Sequence, residues 1–145
     1  MARIQSGARY VLLNVKAPES CLDISGGDNR SLIGYPPHGG LNQQWEFHRV
    51  SRNIFRIRSG TGLFLGIDGR AINGTRVVAG EEEYVWYVQD EPNFPGTIRL
   101  FVPDTRMNVD LSDDGNPTPG TPVTLWEAWR PGSNQLWRLE QVEEV

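Results

Sequence analysis

Gln135-Leu136-Trp137-Arg138-Leu139 has two counterparts earlier in the chain, Gln43-Gln44-Trp45-Glu46-Phe47 and Tyr84-Val85-Trp86-Tyr87-Val88. In each, the tryptophan and the apolar residue two positions on fall on one face of an extended strand. The tryptophans are 41 and 51 residues apart, and two further signatures recur ahead of each in the same order. Leu22-Asp23-Ile24, Leu65-Gly66-Ile67 and Val109-Asp110-Leu111 are spaced by 43 and 44 residues. Each follows a strand-forming triplet: Tyr10-Val11-Leu12, Phe55-Arg56-Ile57 or Ile98-Arg99-Leu100. Self-similarity at this period marks units that cannot bury a hydrophobic face alone. Three of them must share one core, and Trp45, Trp86 and Trp137 are predicted to fill it symmetrically.

The sequence between the signatures is all-β in character. Sixteen Gly and ten Pro disfavour long helices. Turn clusters such as Ser25–Asn29, Pro36–Gly40, Asp113–Pro117 and Pro131–Ser133 separate short β-branched and aromatic stretches. These include Trp45–Val50, Phe55–Arg58, Tyr84–Gln89 and Val123–Trp126. Such spacing predicts a barrel or sandwich. A length of 145 residues predicts one domain, 1–145, with repeats at about 8–50, 51–92 and 93–145. The net charge of -4, with basic residues scattered, argues against nucleic acid as a partner. No apolar run is long enough to insert in a membrane. The first residues lack the apolar stretch of a secretory leader, so an intracellular, soluble protein is expected. The single cysteine, Cys21, permits no internal disulfide and no cysteine-based zinc site.

Three repeats closing near Gln-x-Trp resemble the ricin-B-type (R-type) lectin β-trefoil, in which three repeats with pseudo-threefold symmetry build a short barrel and a triangular cap. The resemblance covers essentially the whole chain. Its most specific elements are the intact Asn-Gln-x-Trp motifs at Asn42–Trp45 and Asn134–Trp137, each with an aspartate in register upstream. Without cysteine pairs or a leader, the chain is most similar in character to the small cytosolic lectins of mushrooms and other fungi. The resemblance implies a cytoplasmic, non-enzymatic lectin without cofactor or metal. It would bind terminal galactose or N-acetylgalactosamine on glycoproteins or glycolipids and cross-link glycans, in some relatives as a homodimer and in defence.

In R-type lectins the sugar lies between an aspartate just after the first hairpin strand, an aromatic platform and the asparagine of Asn-Gln-x-Trp. A carboxylate accepts from neighbouring hydroxyls in charge-assisted bonds, an amide can donate and accept, and an aromatic face packs on the apolar C–H patch of galactose. The resemblance carries these roles to Asp23, Tyr35, Asn42 and Gln43 in the first repeat. In the third they fall on Asp110, Trp126, Asn134 and Gln135. His38, in the loop over the first set, and Trp129, beyond the third, extend the two sites. The second repeat has Gly66 for the aspartate, Ala79 or Gly80 for the aromatic and Glu83-Tyr84 for Asn-Gln, so it should be silent.

Plainer readings of the same residues exist. Gln43 and Gln135 read first as braces of the hairpin, and Asp23 and Asp110 read alternatively as turn residues. Cys21 with His38 or His48 imitates a nucleophile and base, but an apolar flank makes it a small core residue. Asp113-Asp114-Gly115-Asn116 lacks the later glutamate of a calcium loop and reads as a turn. Asn29-Arg30-Ser31 and Asn73-Gly74-Thr75 have the form of glycosylation sequons. Two other functions fit a trefoil: a protease inhibitor acting through the Pro36–Gly40 or Asp113–Pro119 loop, and a lectin for N-acetylglucosamine or fucosylated glycans.

Overall fold

Short alternating stretches between turn residues give short strands, and the computed structural model, which describes residues 4–143, has twelve of them among those residues. The first four are β1 (Arg9–Asn14), β2 (Cys21–Ile24), β3 (Leu32–Tyr35) and β4 (Trp45–Ser51). The next four are β5 (Ile54–Ser59), β6 (Phe64–Ile67), β7 (Val77–Gly80) and β8 (Val85–Asp90). The last four are β9 (Thr97–Phe101), β10 (Met107–Leu111), β11 (Thr121–Glu127) and β12 (Trp137–Gln141). β1 pairs with β4, β4 with β5, β5 with β8, β8 with β9, β9 with β12 and β12 with β1, all antiparallel. The ring closes, so it leaves no sheet edge.

The remaining strands form the hairpins β2–β3, β6–β7 and β10–β11. They meet in a triangle: Gly34 pairs with Thr121, Ser31 bridges Val78 and Arg76 bridges Thr124. A Cβ on Gly34 would lie 2.8 Å from Leu111 Cδ1, so a side chain at this corner of the cap would have to displace the buried Leu111. The fold is a β-trefoil.

Trp45, Trp86 and Trp137 are fully buried. Burial of an indole demands a partner for its N–H, and the three find equivalent ones. Nε1 of Trp45 donates to the carbonyl of Leu22 (3.1 Å), that of Trp86 to Leu65 (2.9 Å) and that of Trp137 to Val109 (3.2 Å). Each acceptor immediately precedes Asp23, Gly66 or Asp110. The tryptophan therefore anchors the strand that carries the candidate carboxylate. Edge-on contacts of Tyr10 with Phe47 and of Phe47 with Phe55, at 5.8 and 6.0 Å, extend the same core.

One expectation needs correction. Asp23 and Asp110 lie inside β2 and β10, neither in turns nor merely after the first hairpin strand, because their strands are only four and five residues long between polar loops. Ser112–Gly115 winds into a single turn in which Asp113 and Asp114 hold left-handed φ of 54° and 50°. Among the described residues no cluster of three or more His, Cys, Asp or Glu is placed to hold a metal. No helix among them is long and apolar enough to cross a membrane.

Candidate functional site

β2 places Asp23 with only 2% of its surface exposed, and Gln43 secures it from behind. Gln43 Nε2 donates to Asp23 Oδ2 at 2.8 Å and to the Pro36 carbonyl at 3.0 Å, while its Oε1 accepts the His38 backbone N–H at 2.9 Å. β10 and Gln135 repeat the pattern around Asp110. Gln135 Nε2 donates to Asp110 Oδ2 at 2.9 Å and to the Glu127 carbonyl at 3.1 Å, and its Oε1 accepts the Trp129 N–H at 3.2 Å. The glutamine thus staples the carboxylate to the loop that follows the aromatic platform. Pro36 and Glu127 each follow the platform residue directly, and His38 and Trp129 each lie three residues beyond it. His38 and Trp129 are therefore structural equivalents, an identity that their different chemistry conceals in the sequence.

Gln43 and Gln135 are almost fully buried behind the aspartates and line neither pocket. Their hydrogen bonds run to protein groups, which matches the bracing reading and lets them position Asp23 and Asp110. Asn42 and Asn134 also have a structural duty. Their Nδ2 atoms donate to the carbonyls of Ile24 (3.0 Å) and Leu111 (3.1 Å), each one residue past the aspartate. Both asparagines line their pockets, and Asn134 Oδ1 is buried without a partner. Tyr35 and Trp126 are the exposed platforms, at 41% and 46%.

The first pocket, about 390 Å³, gathers Asp23, Ser25, Tyr35, His38 and Asn42. His38 stands edge-on to Tyr35 at 6.1 Å, and its Nε2 is 3.7 Å from Asp23 Oδ2. The third pocket, about 460 Å³, gathers Asp110, Thr124, Trp126, Trp129 and Asn134, with Asp113 and Asp114 at its rim. Its far wall includes Gly74 from the second repeat. Burial raises the carboxyl of Asp110 to about 6, against the opposing hydrogen bonds of Gln135 and Asn134 and with added repulsion from Asp114. Burial also raises Asp23, opposed by the Gln43 hydrogen bond and by His38.

The second repeat keeps a cavity of about 390 Å³, lined by Gly66, Gly80 and Tyr84 among others, but not this set of side chains. Tyr84 takes the glutamine's place and packs on Trp86 at 5.3 Å, and Glu83 pairs with Arg56 at 3.2 Å. Cys21 is buried and its thiol is pushed up to about 12, first by desolvation, which removes it as a nucleophile. One functional support escaped sequence reading. Arg99, 2% exposed, donates to Gln135 Oε1 at 2.7 Å and to the Trp129 carbonyl at 3.0 Å, bracing the third site from β9. Its only signal was a charged residue set between Ile98 and Leu100.

A family model described as ricin-type beta-trefoil lectin domain-like matches residues 41–126. No curated protein sequence matches the chain. A Macrolepiota procera ricin B-like lectin, solved in complex with lactose, is 42% identical, with a TM-score of 0.91 over 97% of this chain and 100% of that one. The Rhizoctonia solani agglutinin, 22% identical, gives 0.82 over 98% and 100%. A designed threefold-symmetric protein, ThreeFoil, gives 0.81 at 21% identity over 90% and 96%. The last two share the fold. The chain belongs to the ricin-type β-trefoil lectin family, as a carbohydrate-binding protein and not an enzyme.

Proposed function

We propose that the protein binds terminal galactose or N-acetylgalactosamine at two pockets, in the first and third repeats, and leaves the second silent. One observation carries this reading: the same buried aspartate, stapling glutamine, asparagine and exposed aromatic recur twice, and all are missing together from the second repeat. The amide bonds to each carboxylate leave acceptor capacity for adjacent sugar hydroxyls. Asp23 and Asp110 accept those hydroxyls, Asn42 and Asn134 hold a neighbouring one, and Tyr35 and Trp126 pack on the C–H face. The lactose bound by the Macrolepiota relative supports a galactose-type ligand. Each pocket is shallow, so a single sugar is held at about 1 mM. Function then rests on binding several glycans at once, within one chain or a homodimer.

A glycan array tests the ligand class. Binding to galactose- and N-acetylgalactosamine-terminated glycans, competed by free galactose, is expected. Retention on N-acetylglucosamine or fucosylated glycans with no competition by galactose would contradict it.

A further inference from the structure

Trp129 is a wall of two cavities. One is the third-repeat pocket, whose charged lining is Asp110, Asp113 and Asp114. The other, about 430 Å³, is lined by Trp129 with Phe101, Thr105, Arg99, Arg106 and Arg130. Every charged side chain lining this second cavity is an arginine, in a chain of net charge -4. Arg99 is nearly fully buried there. Its Nη atoms are committed to Asn108, Gln135 and the carbonyls of Trp129 and Pro131, and its buried Nε faces Glu91 Oε2 at 3.6 Å. Arg106 and Arg130 are exposed beside it. The counter-charges are Glu91, 3.6 Å from Arg99 and 3.4 Å from Arg130, and Glu127, 3.2 Å from Arg106. Three guanidiniums therefore meet two carboxylates, and neither carboxylate lines the cavity.

A nearly buried guanidinium flanked by two exposed ones matches the flat, delocalised charge of a carboxylate or sulfate. Neutral sugars gain little from it. Aromatic walls at Trp129 and Phe101 offer packing for the ring that bears the charge.

We propose that this cleft is an anion-reading subsite, which takes a carboxylate or sulfate borne on the sugar adjoining the one held at Asp110. The assignment rests on the galactose reading of the third pocket, and the shared Trp129 makes the two cavities neighbours. Arg99 also links them physically, since the group that lines the cleft donates to Gln135, the residue that holds Asp110.

The test uses the full-length Asp23→Ala variant, which retains only the third-repeat site. It is titrated with lactose, sialylated lactose and sulfated lactose, at low salt and at about 1 M salt, where the Debye length is about 3 Å. The anionic ligands are expected to bind about tenfold tighter than lactose at low salt, the worth of one charge-assisted hydrogen bond. That gain should collapse at high salt. The Arg106→Gln/Arg130→Gln double substitution should abolish the gain and leave lactose affinity unchanged. A gain with the sialylated ligand alone identifies a carboxylate, and with the sulfated ligand alone a sulfate. No gain with either, or a gain that survives the double substitution, overturns the proposal. Binding of an anionic ligand without any binding of lactose would instead overturn the galactose reading and keep the cleft; binding of neither defeats both.

Discussion

Asp110 holds a proton more readily in the folded chain than in the unfolded one, because burial lifts its carboxyl from the ordinary value near 4 to about 6. The two consequences have opposite signs. A raised folded value means this group's contribution to stability is fully present below about pH 4 and is lost as pH rises through about 6. Sugar hydroxyls need the ionised acceptor, so galactose affinity at the third site rises over that same interval. In Asp23→Ala, titration between pH 5 and pH 7.5, at about these values, should show affinity falling on acidification. Affinity independent of pH there would show that the Asp110 carboxylate does not receive the ligand. Gln135 makes a separate prediction. Gln135→Ala strips the staple from Asp110 and leaves Arg99 and the Trp129 N–H without their acceptor. A loss of roughly 1–3 kcal/mol in stability is expected from buried groups left unpaired. Calorimetric titration should find the third site empty and the first site still working.

At the scale of the strand and its hairpin, each indole does two jobs, filling the core and holding the next repeat signature through its N–H. Trp137→Ala should cost roughly 3–5 kcal/mol of stability, read by denaturant unfolding. Trp137→Phe keeps much of the packing but frees the Val109 carbonyl, so it should cost less and still weaken the third pocket before the first. An unchanged unfolding midpoint for Trp137→Ala would contradict the shared-core account. These elements were legible in the sequence because they depend on residue type at a fixed period: Trp45, Trp86 and Trp137, and the paired Asp, Asn and aromatic positions. What escaped depends on contacts between distant segments or on unlike residues in like places. Arg99 reaches loop residues 30 and 32 positions away, and His38 and Trp129 are equivalent only through the backbone N–H that each gives to a glutamine. The staples themselves were half visible: the glutamines read as braces, but only the hydrogen bonds reveal that the thing braced is the carboxylate.

The whole molecule presents its two proposed pockets on different repeats of one trefoil, and the second repeat, which lacks their residues, breaks the symmetry. Weak single-sugar binding then becomes useful through multivalency, which raises avidity on the order of 10²–10⁴-fold when both sites engage. Cells bearing galactose should be agglutinated. Asp23→Ala or Asp110→Ala alone should abolish this for a monomer and only weaken it for a homodimer, and light-scattering mass distinguishes the two. Full agglutination by the double variant would place the activity elsewhere on the surface. The central claim, two working sites and a third erased, is tested most directly by the stoichiometry of galactose bound per chain, followed by titration of the folded protein. The account predicts two equivalents for the natural sequence, one for Asp23→Ala, one for Asp110→Ala and none for the double substitution. Three equivalents for the natural sequence, or complete loss in either single variant with the fold intact, would contradict it.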